Sequence, residues 1–123
     1  MTTSRSLDIQ VKRVYDPAAP DDGARVLIDR LWPRGVSKER AGLDAWDKDV
    51  APSNELRRWY DHDPARFDEF AERYRQELAD DDRAAELDRL RGLAREGRLT
   101  LLTATKDLPH GHARVLVDVL TSG

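Results

Sequence analysis

Arg25-Val-Leu-Ile-Asp-Arg-Leu-Trp-Pro-Arg-Gly35 begins with an unbroken apolar run and ends in a charged loop. Val26-Leu27-Ile28 has the continuous apolar character of a strand covered on both faces, which is the mark of a sheet buried between layers. Pro33 and Gly35 stop it. The pattern returns at Leu99-Thr-Leu-Leu-Thr-Ala-Thr-Lys-Asp-Leu-Pro-His110, where a second apolar strand runs into charge. In open α/β sheets, ligands bind outside the carboxyl ends of the strands. These two ends carry the chain's densest mix of Asp, Arg, Lys, His and Trp, so they locate a site before they identify its ligand.

Outward from these junctions the hydrophobic period alternates between 2 and 3.6. Leu7, Ile9 and Val11 alternate with Asp8, Gln10 and Lys12, which reads as a first strand with one buried face. Arg13 falls on that apolar face at the strand's far end. Tyr15 to Gly23 is turn-rich, and Ser37 is placed to cap a short helical turn. Ser53 is placed to cap a helix carrying Leu56, Trp59 and Tyr60, and Asp63-Pro64 starts another with the stripe Phe67, Phe70, Tyr74, Leu78. Asp80-Asp-Asp82 puts negative charge at a third N-terminus, whose helix presents Leu87, Leu90 and Ala94 and stops at Gly97. Leu99 to Ala104 is the last strand, and Ala113 to Leu120 a closing helix.

This order predicts a small single α/β domain over residues 7–121, a layered fold whose mixed or mostly parallel sheet has helices packed on it. Residues 1–6 are expected to be a flexible N-terminus. The short link between the first two strands allows a hairpin or a short crossover. The strand after the long helical stretch is expected to run parallel to an earlier one.

Composition narrows the function classes. The chain has 123 residues, large enough for one core and too small for two. No apolar run approaches the ~20 residues that span a bilayer, and the polar start lacks the apolar stretch of a secretory signal, so no membrane role and a cytoplasmic location are expected. Cysteine is absent, which excludes disulfides and thiolate metal ligands and suits a reducing compartment. A net charge of −3 disfavours broad nucleic-acid affinity, although interleaved Arg and Asp leave room for a local basic patch. Trp32, Trp46 and Trp59 make a homodimer a reasonable expectation.

The first junction places Asp29 beside apolar neighbours, where an unpaired carboxylate is costly and Arg13, Arg30 and Arg34 are the available partners. A structural ion pair is one reading. The other makes Asp29 a general base, or the orienter of one, with Arg30 and Arg34 gripping an anion through the planar guanidinium fork. The second junction offers Lys106, Asp107, His110 and His112 just before a helix, whose free N–H groups favour anions. His110 is the foremost acid/base candidate, because histidine exchanges protons near neutral pH. Capping of the closing helix by Asp107 or His110 is the bland alternative. His110 and His112 as a metal pair lack a clear third ligand, so neither metal nor cofactor is expected. Arg57 and Arg58 are adjacent on a helix and diverge by about 100°, so one at most is expected to face a pocket.

Val11-Lys-Arg-Val-Tyr15, the Arg25–Gly35 block, Ala51-Pro-Ser-Asn-Glu-Leu-Arg57, Trp59-Tyr-Asp-His-Asp-Pro64 and Thr100-Leu-Leu-Thr-Ala-Thr-Lys-Asp107 with His110 resemble the YeaO-like branch of the bacterial family known as domain of unknown function 488. The resemblance runs from about Ile9 to Leu120. It implies a small cytoplasmic α/β domain and brings no assigned activity. A second branch carries a Cys-His-Arg element after the last strand. This chain has His110 and Arg114 there but no cysteine, so thiol chemistry does not transfer. Nor does the sequence show a helix-turn-helix with a basic recognition helix.

Two functions follow as expectations. One is a cofactor-independent enzyme acting on an anionic, phosphate- or nucleotide-like substrate, with Asp29 and His110 handling protons and Arg13, Arg30, Arg34, Lys106 and Asp107 binding substrate. The other is a non-catalytic module that binds a phosphorylated small molecule or a nucleic-acid end with the same basic residues. Both require the two loops to lie at one end of the sheet.

Overall fold

The computed structural model describes residues 7–122, and the expectation for residues 1–6 lies outside them. Four strands, β1 (Ile9–Arg13), β2 (Ala24–Leu27), β3 (Ala45–Trp46) and β4 (Leu99–Thr103), form one sheet in the order β1-β4-β2-β3. Every pairing is parallel. Five helices complete the fold: α1 (Lys38–Ala41), α2 (Asn54–Tyr60), α3 (Phe67–Leu78), α4 (Asp81–Glu96) and α5 (His112–Ser122). The expected α/β class is what the chain adopts.

The hairpin alternative for the first two strands falls away, because β4 sits between them with Leu101 opposite both Val11 and Val26. The link from Val14 to Gly23 instead returns across one sheet face to start β2 in the same direction as β1. Gly23 makes that return feasible. Its φ is 68°, and a Cβ there would lie 2.2 Å from the Arg98 carbonyl oxygen, which accepts the Ala24 N–H. β3 was not legible in the sequence, since it is two residues long and pairs only with β2.

The two faces are unequal. Val26, Ile28, Leu99 and Leu101 point into the larger cluster, against Phe70, Tyr74 and Leu78 of α3, Leu87 and Leu90 of α4, and Leu116 and Leu120 of α5. Each fully buried aliphatic side chain contributes about 2 kcal/mol, so this face dominates stability. Leu27 and Leu102 point the other way, into a small cluster with Val14 that Tyr15, Trp32 and Leu43 cover. Trp32 and Trp59 are half-buried, and among the three tryptophans only Trp46 is exposed, at 39%.

The predicted caps are in place. Ser37 Oγ accepts from the Arg40 N–H, Ser53 Oγ from the Leu56 N–H, and Asp80 Oδ1 from the Asp82 N–H. Asp63 Oδ1 takes the Ala65 N–H at a one-turn helix over Pro64–Arg66, which leads directly into α3. These caps fix where each helix begins, and so where each loop leaves the sheet.

Candidate functional site

The loops leaving β2, β3 and β4 meet around one cleft of about 730 Å³. The chain from Asp29 to Arg34 forms one wall. Ala51, Pro52 and the α2 residues Asn54, Arg57 and Arg58 form another, and Ala104, Thr105 and His110–His112 close the third side. Tyr60 and Phe70 lie at the base, with Asp61 and His62 at the end of α2. The two junctions therefore lie at one end of the sheet and share one cavity.

Local bonds brace each wall. Trp32 Nε1 donates to the Val36 carbonyl at 2.7 Å, and Tyr15 Oη donates to the Arg34 carbonyl at 3.2 Å, so the loop after β2 is folded back on the small core. Arg30 donates to the Ala51 and Pro52 carbonyls at 3.3 and 3.4 Å, tying that loop to the approach to α2. Tyr60 Oη donates to the His110 carbonyl at 2.6 Å and joins α2 to the loop after β4. Gly111 is buried in the last loop, where a Cβ would meet Thr105 Cγ2 at 3.1 Å.

Asp29 is held by donors other than the arginines that the sequence offers as its partners. Its Oδ1 accepts the Thr103 hydroxyl at 2.7 Å and lies 3.2 Å from His112 Nε2, while Oδ2 accepts the Ala104 N–H at 2.8 Å. None of these partners is an arginine. Burial pushes the Asp29 pKa up, but the hydrogen bond and charge of His112, with the Ala104 and Thr103 donors, bring it below the ordinary carboxylate value. A carboxylate so occupied is a weak base, and its geometry is that of an orienter of His112.

His110 sits on the same cleft with Nδ1 2.8 Å from Asp107 Oδ2. Asp107 is thus a partner of His110 and gives the following one-turn helix no side-chain cap. The ring of Phe67 meets His110 edge-on at 5.5 Å, and the Tyr74 ring meets His112 edge-on at 6.1 Å.

The predicted cations separate into two groups. Arg30 and Arg34 line the cleft, whereas Arg13 and Lys106 do not. Arg13 stays at the end of β1 with its guanidinium 5.1 Å from the Tyr15 ring, and Lys106 is exposed. Arg57 and Arg58 both line the cleft, against the expectation of one at most. They belong to the last turn of α2, from which long side chains reach the same opening despite diverging directions. Asp61 and His62, with φ of 47° and 53°, follow them into the left-handed region. Four arginines against two aspartates make this cavity basic within a chain of net charge −3. Among the described residues, no group of three His, Asp or Glu is arranged to hold a metal ion.

A family model described as the inactive DUF488-N3 subclade matches residues 8–123. The chain belongs to this DUF488-N3i family. Its relatives include the uncharacterised protein YeaO of Escherichia coli strain K12, 45% identical over 116 residues that cover 94% of this chain and 99% of YeaO. Uncharacterised proteins of Mycobacterium tuberculosis (strain ATCC 25618 / H37Rv) and Mycobacterium bovis are 49% identical over 116 residues, covering 94% of this chain and 96% of each relative. No solved structure matches. The YeaO-like resemblance of the Arg25–Gly35 and Thr100–His110 blocks is therefore a family relationship across almost the whole DUF488-N3i chain, and it carries no activity with it. No helix among the described residues is long and apolar enough to cross a membrane.

Proposed function

We propose that the cleft is a non-catalytic binding site for a phosphorylated small molecule. The observation that carries this reading is the convergence of Arg30, Arg34, Arg57 and Arg58 on one cavity at the strand ends. Guanidinium groups bind phosphate through paired, charge-assisted hydrogen bonds. Arg34 and Arg58 have no side-chain hydrogen bond or ion pair within the described chain, so a ligand need not displace an internal partner. The volume is several times that of a lone phosphate, which favours an ester over the free ion. The saturated carboxylate of Asp29 supports binding over proton abstraction, as does the word "inactive" in the family description. The cysteine-free sequence supports a cytoplasmic setting.

The test is calorimetry and thermal shift against sugar phosphates and nucleoside monophosphates. Binding of at least one class is expected, and Arg34→Ala and Arg58→Ala should each weaken it roughly tenfold, with the loss shrinking at high salt. Failure of every phosphorylated compound to bind at millimolar concentration sinks the reading. The catalytic alternative draws on one observation, the Asp107-oriented His110 ring on the cleft. It requires turnover that vanishes in His110→Ala while ligand binding persists.

A further inference from the structure

We propose that His110 and His112 form the anion seat of this cleft, and that each takes up a proton on its cleft-side nitrogen when an acceptor-only anion binds. The proposal rests on the anion-binding reading above and assigns its inner contacts. Nε2 of His112 lies 3.1 Å from the Ile28 carbonyl oxygen and 3.2 Å from Asp29 Oδ1. A carbonyl and an ionised carboxylate are acceptors only, so Nε2 must carry the hydrogen. Nδ1 of His110 faces the Asp107 carboxylate, which fixes the hydrogen there by the same logic.

The two remaining nitrogens, His112 Nδ1 and His110 Nε2, have no hydrogen-bond partner among the described residues. Among the described residues Arg13 Nε is the one buried side-chain nitrogen or oxygen left unbonded. Both histidine nitrogens are therefore open to solvent, and both residues line the cleft. This holds even for His112, whose side chain is only 12% exposed. In a neutral ring each open nitrogen is a lone pair, which repels an anion. In a protonated ring it is an N–H donor, which an anion in the cleft can accept from. A ligand group with no hydrogen to give, such as sulfate or a phosphate monoester dianion, can bond to these nitrogens only in the protonated state.

The surroundings permit that change. Asp29 and Asp107 stabilise the charged rings from behind, while Arg30, Arg34, Arg57 and Arg58 on the cleft, and His62 when it is protonated, oppose charge until an anion lies between. Asp61 adds a negative charge at the end of α2. Tyr60, which bonds the His110 carbonyl, and Tyr74, against His112, have pKa values raised by burial and stay neutral across the working range. The bound anion thus closes two parallel relays, each running from a carboxylate through a ring to the ligand.

Sulfate is the probe, because its charge is constant across the range in which histidine titrates. Calorimetry at fixed ionic strength should show sulfate binding weakening by at least about tenfold from about pH 5.5 to about pH 8. Proton uptake should appear as a dependence of the heat on the buffer's ionisation enthalpy. His112→Gln keeps an amide donor near the Nε2 position and loses the cleft nitrogen, and His110→Asn does the same for Nδ1. Each should remove roughly half of the pH dependence while Asp29 and Asp107 keep a donor. In the unmutated protein, sulfate should shift the ring resonances of His112 Nδ1 and His110 Nε2, which tests the assignment even if a variant fails to fold. Sulfate binding that is independent of pH, or a pH dependence intact in both variants, overturns the proposal and leaves the anion site standing. No binding of sulfate or of phenyl phosphate at any pH overturns both.

Discussion

Asp22 and Asp29 lie two residues off opposite ends of the same strand, and they teach opposite lessons from similar parts. Asp22 precedes β2 and is 1% exposed. Gln10, Lys12, Arg25 and the Ala19 N–H all bond its carboxylate, while Arg25 spends its other nitrogens on the Ala41 and Gly42 carbonyls. None of these residues lines the cleft, so the network's work is to hold the chain together. Asp29 follows β2 and is also well bonded, yet its basic partner is a histidine with a second nitrogen open to a cavity. A buried acid becomes part of a site when its partner has bonding capacity left to offer.

The largest expected effect tests that contrast directly. Asp22→Ala leaves Arg25 and Lys12 without their counter-charge and should cost roughly 3–5 kcal/mol in urea unfolding. Asp29→Ala should cost less, about 1–3 kcal/mol, because water from the cleft can serve the freed Thr103, Ala104 and His112 donors. Sulfate affinity should change with Asp29→Ala and stay put in the folded fraction of Asp22→Ala. Equal costs at the two ends would break the comparison.

A second, smaller effect is the pH profile. The Ala19 N–H hydrogen bond, then the Lys12 and Arg25 bonds, outweigh burial and hold Asp22 at a pKa of about 2, against 3.8 for the free side chain. Because the folded value is the lower one, the stability it brings is fully present above about pH 4. It is lost as the pH falls toward 2. Linkage puts it at about 2 kcal/mol. The stability gap between the unmutated protein and Asp22→Asn should therefore narrow by about that amount between about pH 5 and about pH 2. A constant gap would mean that Asp22 acts through shape and not through charge.

Much of the fold and the location of the site were legible because they rest on local rules. Ser37, Ser53, Asp63 and Asp80 mark helix starts by side-chain capping, which needs only neighbouring residues. Val26–Ile28 and Leu99–Leu102 announce buried strands by composition, and their loops locate the cleft. What could not be read depends on contacts far apart in sequence. The insertion of β4 between β1 and β2 is a pairing across some 75 to 90 residues. Asp29's partners, Thr103, Ala104 and His112, lie at similar distances, so the nearby arginines were the natural but unused candidates. His112 is legible in the sequence as a member of the second junction and half of a weak metal pair, but not as the partner of Asp29, because that pairing exists only after the sheet forms.

The smallest effect probes how tightly the cleft wall is built. A Cβ on Gly111 would stand 3.1 Å from Thr105 Cγ2 and 3.4 Å from the Asp107 carbonyl, a contact that a methyl can relieve by shifting a few tenths of an ångström. Gly111→Ala should therefore cost about 1 kcal/mol, at the mild end of overpacking. Thr105→Ser deletes the opposing methyl and retains the hydroxyl that meets Thr103. Combined with Gly111→Ala it should recover most of the loss, giving a coupling that a thermal-melt double-mutant cycle can read. Both residues line the cleft, so the single substitution should also weaken sulfate binding and the double should restore it. Recovery of stability without recovery of binding would mean that the histidine seat depends on the backbone of this loop and not on the space that Gly111 leaves open.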